Sequence, residues 1–391
     1  MKILHVASFS GNIGDIANHY GFRAWFEKLI SDEIEWNEFE IRNVYRRTER
    51  FDEQFVALAN ASDLVIFGGG NFFELWVENS PTGTSISIED EIFNKIKTPV
   101  FFNALGVDDG MGYSASTIDK FNAFFEKLTH EPMRYLVSVR NDGAFSTLSK
   151  HVKNKNNLAK VVKLPDGGFF TKLPQTSSKN KENGLTVGIN LAGDMLDVRF
   201  PGKEHHDYNS FLNEFSNLLR DISEKWSNTK FILFPHIFSD IKVFSDLMFM
   251  LPDHIRRNDL ILATYDSNCP FEASSFMEYE KCDIFLASRF HSNVVALGNN
   301  IPTIGLNSYK QIQGLYDEIN MSKYLVNVKE HTFSKKIMDL ITEMTESDQL
   351  ASEISNVKLN IEKSLDQAIS EISVWLQTNH IQIQNPDNFK S

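Results

Sequence analysis

Cysteine is nearly absent from the chain: Cys269 and Cys282 are the only two in 391 residues. Two thiols cannot build a disulfide framework, which points to a reducing, cytoplasmic compartment. Basic residues are also in short supply, with 39 Lys and Arg against 52 Asp and Glu and a formal net charge of −13. A nucleic-acid surface needs a basic stripe to release phosphate counterions, so no nucleic-acid partner is expected, and any anionic ligand must be met by a local positive field. No apolar run approaches the ~20 residues that cross a bilayer. The opening MKILHVASFSGNIGD carries one Lys and reaches Gly, Asn and Asp too early for the apolar region of a signal peptide. A soluble chain is therefore expected, and its 32 Phe leave room for at most a peripheral contact at the inner face of a membrane. A full G-x-G-x-x-G is missing, which argues against a dinucleotide. No His/Cys set has zinc-ligand spacing, and His205-His206-Asp207 reads as polar surface, so neither metal nor cofactor is expected.

What is present is an alternation of short apolar runs with helical patterns, the mark of α/β architecture. Lys2–Ala7, Phe39–Val44, Asp63–Phe67, Val100–Ala104 and Tyr135–Val139 read as strands, with a helix after GNIGD and another over Ile118–Leu128. Val161–Leu164 and PDGGFF close this first half. TSSKNKENG, from Thr176 to Gly184, is polar and apolar-poor, a linker by composition. The alternation then restarts: strands Leu185–Asn190, Phe231–Phe234 and Leu260–Ala263, and helices Tyr208–Trp226, Ile241–Met250 and Phe271–Lys281. These spacings predict an α/β chain of two Rossmann-like domains facing across a cleft, residues 1–174 and 185–330, followed by C-terminal helices over 331–380 and a loose tail over 381–391.

The chemistry-bearing residues gather where strands end. Cys282 to Lys310, CDIFLASRFHSNVVALGNNIPTIGLNSYK, breaks from a buried strand into Ser288, a candidate helix N-cap, with Arg289 and His291 in the first helical turn and Gly298 as terminator. The strand Ile301–Leu306 then delivers Lys310 to the same sheet edge. The carboxyl ends of strands are where open α/β sheets bind ligands, and a helix start favours an anion. Arg140 leaves the fifth strand in the same way, just before Asn141-Asp142-Gly143. Gly68-Gly69-Gly70-Asn71 follows the third strand, where glycines permit positive φ and close backbone approach.

These segments, GNIGD, FGGGNFF, VSVRNDGA, PDGGFF and the Ser288-Arg289-His291-Pro302-Lys310 series, together resemble the polysaccharide pyruvyl transferase family, whose S-x-R-x-H differs in that Arg289 directly follows Ser288 here. The resemblance implies a fold similar to GT-B glycosyltransferases. It also implies an enzyme that moves the enolpyruvyl carbons of phosphoenolpyruvate onto a sugar of a surface polysaccharide or its lipid-linked precursor. The product would be a cyclic pyruvate ketal, with a mild preference for galactose-type acceptors.

On that reading Arg140 and Arg289 are the bidentate cations for the donor, with Ser288 and Lys310 beside them. Which arginine holds phosphate and which holds carboxylate stays open. His291 is the candidate acid for the enol carbon and Asp15 the candidate base from the other domain. Asn12, Gly69, Gly70, Asn71 and His236 are candidates for the acceptor side. The rival readings are a GT-B glycosyltransferase using a nucleotide sugar and a non-catalytic carbohydrate-binding protein. The rival enzyme would need a base- and ribose-binding segment, for which no candidate stands out.

Overall fold

The computed structural model describes residues 1–174, 184–347 and 349–384, so the linker over 176–183 lies outside the described residues. The chain divides into two compact units, one of residues 1–9, 18–167 and 361–391 and the other of residues 10–17 and 168–360.

In the first unit the elements run β1 (Lys2–Ala7), α1 (Ile13–Leu29), β2 (Glu35–Glu40), α2 (Ile41–Tyr45), α3 (Glu53–Asn60), β3 (Leu64–Gly68), β4 (Phe73–Glu74), α4 (Asp90–Phe93), β5 (Val100–Leu105), β6 (Val107–Asp108), α5 (Ala115–His130), β7 (Tyr135–Val139), α6 (Ala144–His151) and β8 (Val161–Lys163). Six strands make one parallel sheet in the order β2-β1-β3-β5-β7-β8, and β4 and β6 pair separately. Strand order reverses at β1, so the loops after β1 and β3 flank the switch point where such sheets bind ligands.

The inner strands β3, β5 and β7 are buried at every position, which is why they read as unbroken apolar runs. The edge strand departs from the sequence reading. EWNEFE forms β2, with no position buried, and Ile41 and Val44, expected within a strand, instead bury one side of α2. Glu40 decides the boundary by accepting the Arg42 amide as an N-cap.

The second unit runs β9 (Thr186–Asn190), α7 (Leu196–Arg199), α8 (Tyr208–Lys225), β10 (Lys230–Leu233), α9 (Phe238–Met250), α10 (Asp253–Asn258), β11 (Leu260–Leu262), β12 (Ile284–Ala287), α11 (Phe290–Gly298), β13 (Thr303–Asn307), α12 (Lys310–Glu318), β14 (Leu325–Asn327) and α13 (Phe333–Glu346), and α14 (Gln349–Thr378) follows. Its parallel sheet has the order β11-β10-β9-β12-β13-β14. This is the doubly wound Rossmann arrangement, with the switch point between β9 and β12. The helix expected over Phe271–Lys281 is instead two 3₁₀ turns, Phe271–Ala273 and Ser275–Lys281, a form used for short connectors.

The division differs from the sequence-based boundaries at three places. Residues 10–17, holding the GNIGD turn, and residues 168–174 belong with the second unit, and residues from 361 onward belong with the first. The last placement follows from packing. Trp375 lies against Phe101 with ring centroids 6.4 Å apart, and Asn379 Nδ2 donates to the Met133 carbonyl at 2.9 Å. Ile383 forms an antiparallel bridge with Ile30, so this part of the expected loose tail is tied down; residues 385–391 lie outside the described residues. Among the described residues no helix is long and apolar enough to cross a membrane.

Candidate active site

The second unit's site forms on the loops after β9, β10, β12 and β13. Ser288, expected to cap α11, bonds a neighbouring loop instead, its Oγ accepting the Ala192 amide at 2.7 Å. Its own amide continues the ladder to the Asn190 carbonyl. Arg289 occupies the cap position, its own side chain making no cap bond and its amide on Asn190 Oδ1 at 3.0 Å. Gly298 is the last helical residue rather than the left-handed terminator, a role that falls to Asn300 at φ 59°. A Cβ on Gly298 would meet the Phe169 carbonyl oxygen at 2.6 Å, so close packing requires the glycine.

Arg289 is gripped by two carboxylates. Nε and Nη2 donate to the two oxygens of Asp240 at 2.8 and 2.5 Å, and Nη2 also reaches Asp194 Oδ1 at 2.8 Å. Burial works against its charge, but Asp240 and Asp194 more than offset it and hold the guanidinium above its usual pKa. Asp240 is completely buried and also accepts the amides of Gly193, His236 and Ile237. Asp194 in turn takes a second arginine. Arg199, at the end of α7, donates to the Asp194 carbonyl at 2.9 Å and to Ser308 Oγ at 3.1 Å, with Nη2 3.4 Å from Asp194 Oδ1. Burial opposes charge on Asp194, yet the two guanidiniums hold its carboxyl below the ordinary range. Lys310 is the first residue of α12, at the carboxyl end of β13 as the sequence predicts.

His291 meets the GNIGD turn. Asn12 Oδ1 accepts the Gly14 amide at 3.0 Å, so Asn12, not Asp15, does the capping at the start of α1. Gly11 donates to the Ser267 carbonyl and Ile13 to that of His236, each at 3.1 Å, while Tyr265 Oη donates to the Gly11 carbonyl. These bonds seat the turn on the second unit, and His291 Nδ1 lies 3.9 Å from Asp15 Oδ1. Gly14 makes this approach possible, since a Cβ there would stand 2.7 Å from His291 Nδ1. Asp15, expected from the other domain, thus lies in the same unit as His291.

His236 takes a different place from the acceptor contact expected of it. Its ring is fully buried, with Nε2 2.7 Å from Tyr279 Oη, which is 3.0 Å from Ser292 Oγ. Burial, and then the charges of Arg289 and His291, hold His236 well below the usual histidine pKa, so it stays neutral.

Arg140 and the glycine-rich loop form a separate cluster in the first unit. Arg140 Nε donates to Asp142 Oδ2 at 2.7 Å, and Nη1 is 3.7 Å from Asp166 Oδ2, all three buried. Burial raises the Asp142 carboxyl against the pull of Arg140. The cation expected to meet a donor anion is thus already matched by carboxylates. Gly68 and Gly69 have φ of 146° and 80°, and a Cβ on Gly69 would meet Asn18 Oδ1 at 2.4 Å; on Gly70 it would strike the Phe72 ring at 2.6 Å. Asn18 Nδ2 donates to Asp166 at 2.5 Å and Asn71 Nδ2 to Asp108 at 3.1 Å, which fixes both amides with their oxygens turned away from the carboxylates. Neither oxygen has a hydrogen-bond partner among the described residues.

Comparison with known proteins decides the family. A family model described as polysaccharide pyruvyl transferase matches residues 2–309. The chain belongs to the polysaccharide pyruvyl transferase family. This pyruvyl transferase matches no protein with a curated functional description. Its fold is shared with an S. aureus MnaA–UDP complex (TM-score 0.56, 12% identity, 96% of this chain and 97% of that one). It is similar to UDP-GlcNAc 2-epimerase of Neisseria meningitidis bound to UDP-GlcNAc (0.55, 11%, 96% and 100%) and to a glycosyltransferase of Rickettsia africae (0.53, 9%, 96% and 98%). These likenesses bear out the GT-B-like architecture of the pyruvyl transferase and speak of fold alone.

The sequence reading missed Asp194, Arg199 and Asp240. A signal existed for the first: Leu191-Ala192-Gly193-Asp194 leaves β9 at its carboxyl end, by the same logic that singled out Arg289. Arg199 and Asp240 lie on helices with nothing in their local spacing to mark them. The histidine pair expected at the polar surface resolves into a buried His206 bonded to Glu214 at 2.8 Å.

Proposed function

We propose that this pyruvyl transferase takes its pyruvate from phosphoenolpyruvate, delivers it as a cyclic ketal to a sugar of a surface polysaccharide or lipid-linked precursor, and releases phosphate. The observation that carries this reading is the placement of His291 beside Asp15 and two positions after the doubly paired Arg289, in the first turn of α11. The donor is a small molecule with two anionic groups, which the cations and helix start of the second unit suit. Protonation of its methylene carbon makes an oxocarbenium-like centre. His291 supplies that proton while Asp15 stabilises the imidazolium, a role worth typically ~10²–10⁴-fold.

The first sugar hydroxyl adds to the adjacent carbon and its proton returns to the His291–Asp15 pair. The bond to the phosphate oxygen then breaks, the second hydroxyl adds, and its proton leaves with phosphate or to solvent. The acceptor oxygens of Asn18 and Asn71 in the first unit suit the hydroxyl donors of a sugar.

The test is phosphate release from phosphoenolpyruvate with methyl galactoside, mannoside and glucoside, followed by mass spectrometry of the sugar. Sugar-dependent release with a pyruvate ketal on one acceptor is the expected result. Inertness toward phosphoenolpyruvate, with turnover of a nucleotide sugar instead, overturns it.

A further inference from the structure

We propose that the second unit carries a carbohydrate subsite in the cavity at the carboxyl ends of β13 and β14, holding sugar residues next to the one that is modified; this rests on the sugar-acceptor reading above. The cavity has a volume of about 480 Å³, within the ~300–1,000 Å³ of small-molecule sites. The apolar part of its lining is buried: Leu325 and Val326 of β14, and Phe333 at the start of α13. Phe333 is fixed by Phe211 and Phe215 of α8, with ring centroids 5.6 and 6.5 Å away. The rest of the lining is polar.

The polar side chains are held by one another. Asn307 and Asn327 end β13 and β14 and pair in register. Asn307 Nδ2 donates to Gln313 Oε1 of α12 at 3.0 Å, and Asn327 Nδ2 donates to Glu330 Oε1 at 2.8 Å. Lys336 Nζ donates to the Leu325 carbonyl at 2.8 Å. An amide nitrogen has two hydrogens, an ammonium three and a carboxylate two oxygens, so this wall has both donors and acceptors to offer a ligand. That mixture matches vicinal hydroxyls, each of which donates and accepts. An anion would meet Glu330 and a cation would meet Lys336, whereas a neutral sugar bonds both. A nucleotide fits less well, because Lys336 is the one Lys or Arg in the lining among the described residues and Phe333 packs its ring among other Phe rings.

The same wall is strained. Thr332, a β-branched residue in the cavity lining, has φ of 67°, a region such residues rarely enter. Glu214 of α8 keeps it there by accepting the amides of Thr332 and Ser334 at 3.1 and 2.8 Å. Strain maintained by its surroundings is a feature of ligand sites. Position gives the cavity its use. Two strand spacings of ~4.8 Å separate it from the switch point between β9 and β12, or about 10 Å along the sheet edge from the strand ends that carry Arg289 and His291. One pyranose ring does not span that distance and an oligosaccharide does, so the subsite selects acceptors of more than one residue.

Galactobiose, mannobiose and cellobiose are the probes, each titrated into the full chain by calorimetry, with UDP as the comparison ligand. Binding of at least one disaccharide, weakened about tenfold or more by Glu330→Ala and by Lys336→Met, is the expected result. Both side chains are exposed, so neither substitution opens the core. Disaccharide affinity unchanged in both variants, no binding of any of the three, or UDP binding that the same variants abolish overturns the assignment. The functional reading stands or falls separately. Pyruvate transferred from phosphoenolpyruvate to a disaccharide whose affinity is unchanged in both variants removes the subsite alone. Variant-sensitive disaccharide binding without any transfer from phosphoenolpyruvate removes the reaction alone.

Discussion

Two parallel sheets of closely related topology present clusters of different character at their carboxyl edges. In the first unit one cation, Arg140, stands among Asp142 and Asp166, and Asp108 adds its charge to Asp142. In the second, Arg199 and Arg289 stand around Asp194 and Asp240. The fold supplies the same platform twice, at the carboxyl ends of a parallel sheet. What differs is charge balance: carboxylates outnumber the cation in the first, and cations and carboxylates are matched in the second.

The sharpest way to break this contrast is at His291. On the proposed mechanism His291→Gln should lower kcat by ~10²–10⁴-fold with little change in KM for phosphoenolpyruvate; near-normal kcat would remove the proposed acid from the second platform. Asp240→Asn leaves Arg289 without its closest carboxylate and should cost about 3–5 kcal/mol of stability, read by denaturant unfolding. An equivalent loss on Arg140→Gln would show that the first platform rests on its ion pairs just as heavily. Gly14→Ala pushes a Cβ into the His291 ring and should reduce kcat ~10–100-fold, since a displacement of about 1 Å is felt that strongly. Stability unchanged alongside that loss would confirm that the turn serves positioning.

Two smaller effects separate the units by pH. Burial raises Glu74 of the first unit from 4.5 to about 7, against its bond to Ser85. A carboxyl raised on folding favours the fold below its unfolded value and loses that contribution as pH rises toward 7. Glu74→Gln should therefore stabilise the protein by about 1–3 kcal/mol at pH 8 and by little at pH 4.5, measured as Tm. His5 and His236, one in each unit, are both held well below 6.5, chiefly by burial. Each favours the fold above 6.5, and that contribution is lost as pH falls through the depressed value. Tm should accordingly decline below pH ~6.5. A His236→Gln variant that keeps the full decline would assign it to the first unit.

Much of the scaffold was legible because parallel inner strands are long apolar runs and glycine-rich turns follow them. Asp63–Phe67, Tyr135–Val139 and Asp283–Ala287 fall within a residue of the observed strands. Element ends were less legible. Glu40 caps a helix inside what reads as a strand, and Ser288 gives its hydroxyl to a loop instead of the helix it precedes. In both cases a hydrogen bond to a particular amide decided the boundary, and periodicity does not report such bonds.

The sequence by itself determined where the reactive side chains emerge: Arg140, Arg289, His291 and Lys310 all stand at the carboxyl ends of strands, because strand burial and strand exit are local properties of the chain. Only the tertiary structure decided what each one meets. Arg289 is joined to Asp194 across 95 positions, Asp15 comes to His291 because Gly14 lets a turn from the start of the chain lie on a late helix, and Arg199 gains its place from Ser308, 109 positions on. Pairings at such separations are set by how distant segments pack, and local pattern carries no record of them.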